Sequence, residues 1–350
     1  MSPTKVTRTL TLAGFVPAGK LSHSYRSLLP LLALCLATAA WSQTRSGPNE
    51  RHGPLTKPDR VNTARPAADT QASSQYRFIT IGVSGSPSAW AWGINSARLV
   101  TGNYQDASSS SVWHGFVWQG GTLQTVDYPA AAYTYLFGVN NRGVAIGLYG
   151  DGVSEYAVTY TAGGGTWTVL PNIPGYPENE GYGINDAGAA VGEAFSADYS
   201  TSVAWIWDPT TQLYSFFAVP GAAQYSTNPT DINDKGQVVG SFCTVEPCYA
   251  DIGIYFGFLK EGETYTTIDP PGASGARACG INNSGTIVGG WYDAAGALQG
   301  FVLTRSGILT TVDYPGPEIT TILGINDRGD ISGNYVAKTG DVQAFVGFRQ

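Results

Sequence analysis

Six times along this 350-residue chain an aromatic residue is followed, two to nine residues later, by an aspartate. The pairs are Tyr104 and Asp106, Tyr149 and Asp151, Phe195 and Asp198, Phe242 and Asp251, Trp291 and Asp293, and Tyr335 and Asp341. An aromatic face beside a carboxylate suits a sugar or a peptide. The ring stacks on an apolar face while the acid accepts hydroxyl or amide hydrogens. Tyr104, Asp106, Tyr149, Asp151, Trp291, Asp293 and Tyr335 are therefore the candidate ligand-binding residues. The competing reading is that the aromatics seal packing between elements and the acids solvate loops. Carboxylates in pairs could also act as acid and base on a glycosidic bond, but no particular pair is singled out as catalytic. His114 is the single histidine of the repeated region, since His23 and His52 precede it. No Gly-x-Ser-x-Gly elbow, phosphate loop or calcium-binding loop is present. Cys243, Cys248, Cys279 and His114 lack the spacing of a zinc site, so neither a metal nor a cofactor is expected.

What must position these pairs is a repeat. The phrase Gly-Ile-Asn recurs with small changes, ending at Asn95, Asn140, Asn185, Asn233, Asn282 and Asn326. The intervals are 45, 45, 48, 49 and 44 residues, the period of a propeller blade. Each copy continues through a turn such as Asn233-Asp-Lys-Gly236 into a second apolar run, then a third and a fourth. The runs are short, alternating and rich in β-branched and aromatic residues, which is the strand signature. Asn and Asp bond their own backbone in turns and Gly takes positive φ, so these residues read as structural. Gly240 and Gly289, inside the second run, mark a bulge or a close backbone approach.

Six units of four strands predict an all-β, six-bladed β-propeller over residues 76–350. The segment Arg77-Phe-Ile-Thr-Ile81 matches a fourth strand that has no blade of its own, and the sixth unit lacks its fourth strand. Pairing Phe78–Ile81 with the run near Ala344–Phe348 would close the ring and remove two open edges. In that ring the long loops, with the aromatic–aspartate pairs, share one face. The Asn-Asp-x-Gly turns occupy the other.

Residues 1–42 read as a signal peptide. Lys5, Arg8, Lys20 and Arg26 precede an apolar run, Leu28–Ala40, and small residues stand near Ser42. Residues 43–75 are polar and proline-containing and read as a disordered linker. The whole chain carries a formal charge of −7; removing the four basic residues of the leader leaves 15 Lys+Arg against 26 Asp+Glu, or −11. Nucleic acid and anionic membranes need a basic surface, so neither is an expected partner, and no membrane span remains after cleavage. A neutral or cationic glycan fits this charge better than an anionic one. The expected location is secreted, periplasmic or cell-surface. Cys243 and Cys248 flank Thr-Val-Glu-Pro in the longest insertion and read as a disulfide; Cys279 reads as a lone strand thiol.

The phrase Gly-Ile-Asn-Asp-x-Gly-x-Val-Val-Gly, followed by His114-Gly-Phe116 or Gln343-Ala-Phe345 and by Thr-Val-Asp313-Tyr-Pro-Gly, resembles the bacterial extracellular repeats named for a His-Ala-Phe motif (HAF repeats). The resemblance spans residues 77–349, although only His114-Gly-Phe116 keeps the histidine. It implies export and a repeat fold and brings no activity or site residues with it. The functional expectation is a monomeric, secreted, noncatalytic binding or scaffold module for an extracellular glycan or protein. The alternative is an extracellular carboxylate-dependent glycoside hydrolase or polysaccharide lyase. Peptide mapping of exported protein without reductant should recover Cys243 and Cys248 in one cross-linked fragment; recovery of both as free thiols would refute the pairing.

Overall fold

The computed structural model describes residues 72–109, 112–245, 255–316 and 319–350. The expected signal peptide, most of the linker, Cys248 and Asp251 lie outside the described residues. Among the described residues, twenty-four strands form six four-stranded antiparallel sheets, with one short 3-10 turn, Ala72–Gln75, before them. The fold is the expected six-bladed propeller. In the first blade β2 (Ala89–Ile94), β3 (Val100–Gln105), β4 (Trp113–Gln119) and β5 (Thr122–Thr125) lie side by side in chain order. The innermost strands of the next five blades are β6 (Tyr133–Val139), β10 (Glu178–Ile184), β14 (Asn228–Ile232), β18 (Gly275–Ile281) and β22 (Thr320–Ile325).

The ring closes as expected. The first strand, β1 (Tyr76–Ile81), pairs antiparallel with β24 (Val342–Arg349), with Phe78 opposite Gly347 and Ile81 opposite Ala344. It becomes the outer strand of the blade that begins with β22. Apolar side chains fill the space between neighbouring sheets. Phe116, Trp205, Phe258, Phe301 and Phe345, all on third strands, are fully buried.

The repeated asparagine does more than shape a turn. In five copies its Oδ1 accepts the backbone N–H two and four residues on, as Asn233 does from Lys235 and Gln237 at 3.0 and 3.1 Å, and in Asn185 it accepts the one four residues on. Its Nδ2 donates to the carbonyl of the equivalent asparagine in the next blade. The chain of bonds runs Asn95 to Asn140, Asn140 to Asn185, Asn185 to Asn233, Asn233 to Asn282, Asn282 to Asn326, and Asn326 back to Asn95, all at 2.9–3.1 Å. All six asparagines are buried. The cycle draws the inner strands together, and this explains the preceding glycine. A Cβ on Gly93 would sit 2.7 Å from the carbonyl oxygen of Phe137, and one on Gly324 2.5 Å from that of Trp92.

Every inner strand carries a β-bulge at the residue before that glycine position, between Ala91 and Gly93, Leu136 and Val139, Gly181 and Gly183, Pro229 and Asp231, Ala278 and Gly280, and Ile322 and Gly324. The second-strand glycines lie opposite. A Cβ on Gly240 would meet the Asn228 carbonyl oxygen at 2.1 Å, and one on Gly289 that of Arg277 at 1.9 Å. Of the two readings of those glycines, close approach holds, and the bulge belongs to the partner strand.

Replacing Asn282 by Ala strands the Asn326 carbonyl and the Ser284 and Thr286 amides, which it now bonds. At about 1 kcal/mol for each of the three groups left unpaired, Asn282→Ala should lower unfolding free energy by roughly 3 kcal/mol in urea denaturation. A change under about 0.5 kcal/mol would show that the cycle holds nothing.

Candidate functional site

The bulge turns one residue per blade toward the ring axis. Those residues are Trp92, Phe137, Tyr182, Thr230, Cys279 and Leu323, and all six line one cavity. Trp92 packs edge-on against Phe137 with ring centroids 5.1 Å apart, and Phe137 against Tyr182 at 5.3 Å. Two residues earlier on the same strands stand Trp90, Tyr135, Glu180, Asn228, Arg277 and Thr321. Alternation along a strand puts them on the same side, as the Trp90–Trp92 stack at 5.5 Å and the Tyr182–Glu180 hydrogen bond at 2.7 Å show. Thr230 and Cys279 are too small to fill their sector. The cavity therefore reaches past them to Asn228, Ser241 and Arg277.

The result is a cavity of roughly 100 Å³ that opens among the Asn-ring turns. One wall is aromatic and aliphatic: Trp92, Phe137, Tyr182 and Leu323. The other, from the fourth and fifth blades, is polar: Thr230, Asp231, Arg277 and Cys279. Asp231 stands where each of the other blades has the phrase's glycine between two inner strands. Its Oδ1 accepts the Ile232 amide and its Oδ2 the Ile281 amide, each at 2.9 Å. Burial pushes its pKa up to about 7, against those two bonds. Burial likewise pushes the Cys279 thiol up to about 11, so it is a poor nucleophile at neutral pH.

Four glutamates are buried beside this axis, in the second and third blades: Glu155, Glu178, Glu180 and Glu193. Tyr133 donates to Glu155 at 2.8 Å, the Glu155 amide to Glu178 at 2.7 Å, and Asn228 to Glu193 at 2.7 Å. Burial, and then the charge of Glu155, push Glu180 well above the usual carboxylate range. Burial, opposed by hydrogen bonds from Ser202 and Asn228, pushes Glu193 up to about 7. Nothing in the strand pattern announces these acids; Glu180 and Glu193 occupy inward positions where other blades carry Tyr135, Leu148 or Gly290.

The aromatic–aspartate pairs lie elsewhere, on the second strands and the hairpins that follow them. Asp106 accepts the Ser108 amide at 2.6 Å, Asp151 those of Val153 and Ser154 at 2.8 Å, and Asp293 those of Ala295 and Ala297 at 2.8 and 2.9 Å. Each acid thus caps its own turn. Tyr149 is stacked between Tyr128 at 3.8 Å and Tyr156 at 5.0 Å, and Tyr335 lies on Tyr314 at 4.0 Å. Tyr104 bonds Thr125 at 2.9 Å, and Trp291 packs against the core of its blade. These hydrogen bonds and stacks stay within one blade or the connection entering it, and none of the seven residues lines the axial cavity. His114 sits between Asp127, 2.8 Å from Nδ1, and Asp106, 3.3 Å from Nε2. Burial lowers its pKa, but bonds to the two acids outweigh this and raise it. No group of three or more metal-ligating side chains occurs among the described residues.

No family model matches this chain, and no curated protein does. Solved structures do. A triple arginine-to-alanine mutant of AofleA from Arthrobotrys oligospora superposes with a TM-score of 0.50 at 14% identity, over 82% of this chain and 89% of that one. An oligogalacturonate lyase in complex with manganese gives 0.46 at 12% identity, covering 76% and 80%. TolB from Acinetobacter baumannii gives 0.46 at 8%, covering 75% and 63%. What they share is the fold. At such identities the likeness carries nothing about ligand or chemistry.

An acid whose pKa is raised on folding holds more protons in the native state than in the unfolded chain. Stability then falls as pH rises from the unfolded value, about 4.3 for Glu, through the folded one. For Glu193 that window runs from about 4.3 to about 7. The melting temperature should be higher at pH 5 than at pH 8, and Glu193→Gln should shrink the difference. An unchanged difference in the variant would show that Glu193 ionises normally.

Proposed function

We propose that this protein is an exported, monomeric, noncatalytic binding module whose ligand enters the axial cavity from the face of the Asn-ring turns. The observation that carries this reading is the cavity itself, a concavity in which an aromatic wall from several blades faces a polar wall. That is the ordinary make-up of a small-ligand site. At roughly 100 Å³, it suits a single small ring compound or one sugar unit rather than an extended chain. The expected export signal, the negative formal charge and the absence among the described residues of a helix long and apolar enough to cross a membrane agree with a module working outside the cytoplasm. An extracellular glycan or a protein presenting such a group would be the physiological partner. The hydrolase or lyase reading draws on Glu193, which stays largely protonated below neutrality as a general acid would. Glu193 is buried and does not line the cavity, which favours the binding reading.

Ligand-observed NMR with a panel of monosaccharides, uronic acids, amino acids and aryl carboxylates tests the site. Binding should be found and should be lost in Cys279→Phe, which fills the cavity, while Trp291→Ala and Tyr335→Ala keep it. Binding lost in the last two and kept in Cys279→Phe would move the site to the long-loop face. Release of reducing sugar from any polysaccharide would overturn the noncatalytic reading.

A further inference from the structure

Arg277 on β18 is out of keeping with its surroundings. It is 7% exposed and lines the axial cavity. Its Nε is buried and makes no hydrogen bond, and among the described residues no carboxylate pairs with it. Asp231 shares the cavity wall, but both its oxygens are taken by the Ile232 and Ile281 amides. The compensation the guanidinium does have is the ring of Tyr255, 4.0 Å beneath its carbon. That cation–π contact offsets only part of the cost of burying an unpaired cation. A buried arginine that lines a cavity and has no carboxylate partner among the described residues is what an anion-binding site looks like before its ligand arrives. Guanidinium geometry favours a carboxylate, held by two parallel N–H bonds.

The opposite wall sets the rest of the ligand. Trp92, half-buried, with Phe137, Tyr182 and Leu323, presents flat apolar surface across the cavity from Arg277. We propose that the axial cavity binds a small carboxylate carried on a ring, the carboxylate on Arg277 and the ring against the Trp92–Phe137–Tyr182 wall. This rests on the cavity being the binding site and adds the ligand's charge and shape. It reverses the expectation that an acidic protein avoids anions. The formal net charge acts through solvent and is screened within about 8–10 Å at physiological salt, whereas Arg277 meets the ligand directly. Asp186, Asp234 and Asp327 also line the cavity, at its mouth, and oppose entry. Each accepts a backbone amide of the preceding blade at 2.6–2.8 Å, which partly offsets its charge.

Two sources share this chemistry, an aromatic acid and a uronic acid, and the test separates them. Isothermal titration of the full exported chain at pH 6 would use benzoate and galacturonate against their neutral counterparts benzamide and galactose. At least one acid should bind ten-fold or more tightly than its neutral partner. Arg277→Met should abolish that preference while leaving the melting temperature unchanged or raised, and Arg277→Lys should restore part of it. Preference for benzoate assigns the aromatic class, preference for galacturonate the sugar class. If acids and neutral partners bind alike and Arg277→Met changes nothing, the cavity binds ligands but the carboxylate assignment is wrong. If none of the four binds and the broader panel is also silent, the cavity reading itself has failed. An Arg277→Met protein that does not fold would show the arginine to be structural and overturn the proposal.

Discussion

The closed cycle of six asparagine side chains is the constraint from which the rest of the molecule follows. Each Asn amide spans a blade interface, and each Asn oxygen organises the turn that starts the second strand of its blade. Because the cycle closes from Asn326 to Asn95, the inner strands are held at one radius. Side chains cannot fit between them at the level of Gly93, Gly138, Gly183, Gly280 and Gly324. Blade four departs from this with Asp231, and its carboxylate bridges to the Ile281 amide of the fifth blade. The polar sector of the cavity begins at that departure.

Crowding at the axis also accounts for the bulges. Strands that converge this closely must shed one residue from the ladder, and the extra residue of each strand points to the centre. One structural position, repeated six times, thereby becomes the lining of a cavity. Variation there costs the scaffold little, because the backbone bonds on either side are kept. Trp92, Phe137 and Tyr182 close one side of the axis, while Thr230 and Cys279 leave the other open down to Arg277. A rigid ring thus presents a chemically uneven centre. Positioning by strands rather than loops makes such a site precise.

The acids near the axis show the cost of that arrangement. Glu155, Glu178, Glu180 and Glu193 crowd into a region with little solvent, and tyrosine hydroxyls and an asparagine amide satisfy part of their hydrogen-bonding capacity. Glu180 and Glu193 persist there by holding protons, which couples the stability of the third blade to pH. The outer rim carries no such tension. Asp106, Asp151 and Asp293 cap turns in solvent or near it, and their aromatic neighbours are occupied in stacks and packing.

Blade number, strand order and ring closure were legible in the chain, because they follow from local periodicity and from the unmatched strand at Phe78–Ile81. Turn roles for Asn233 and Gly236 were legible too, since each bonds or bends its own backbone. The asparagine cycle was not. It joins residues 44 to 49 apart, and one pair 231 apart, and the recurrence of Asn is already explained by its turn. Nor could the residue before each glycine be recognised as axial. A strict period of two assigns it to a face, and only the one-residue bulge, imposed by neighbouring blades, rotates it inward. The sequence by itself determined the scaffold, since each strand and turn answers to its nearest neighbours along the chain. The cavity and its unpaired arginine were decided by the tertiary structure, because they exist only where six blades meet.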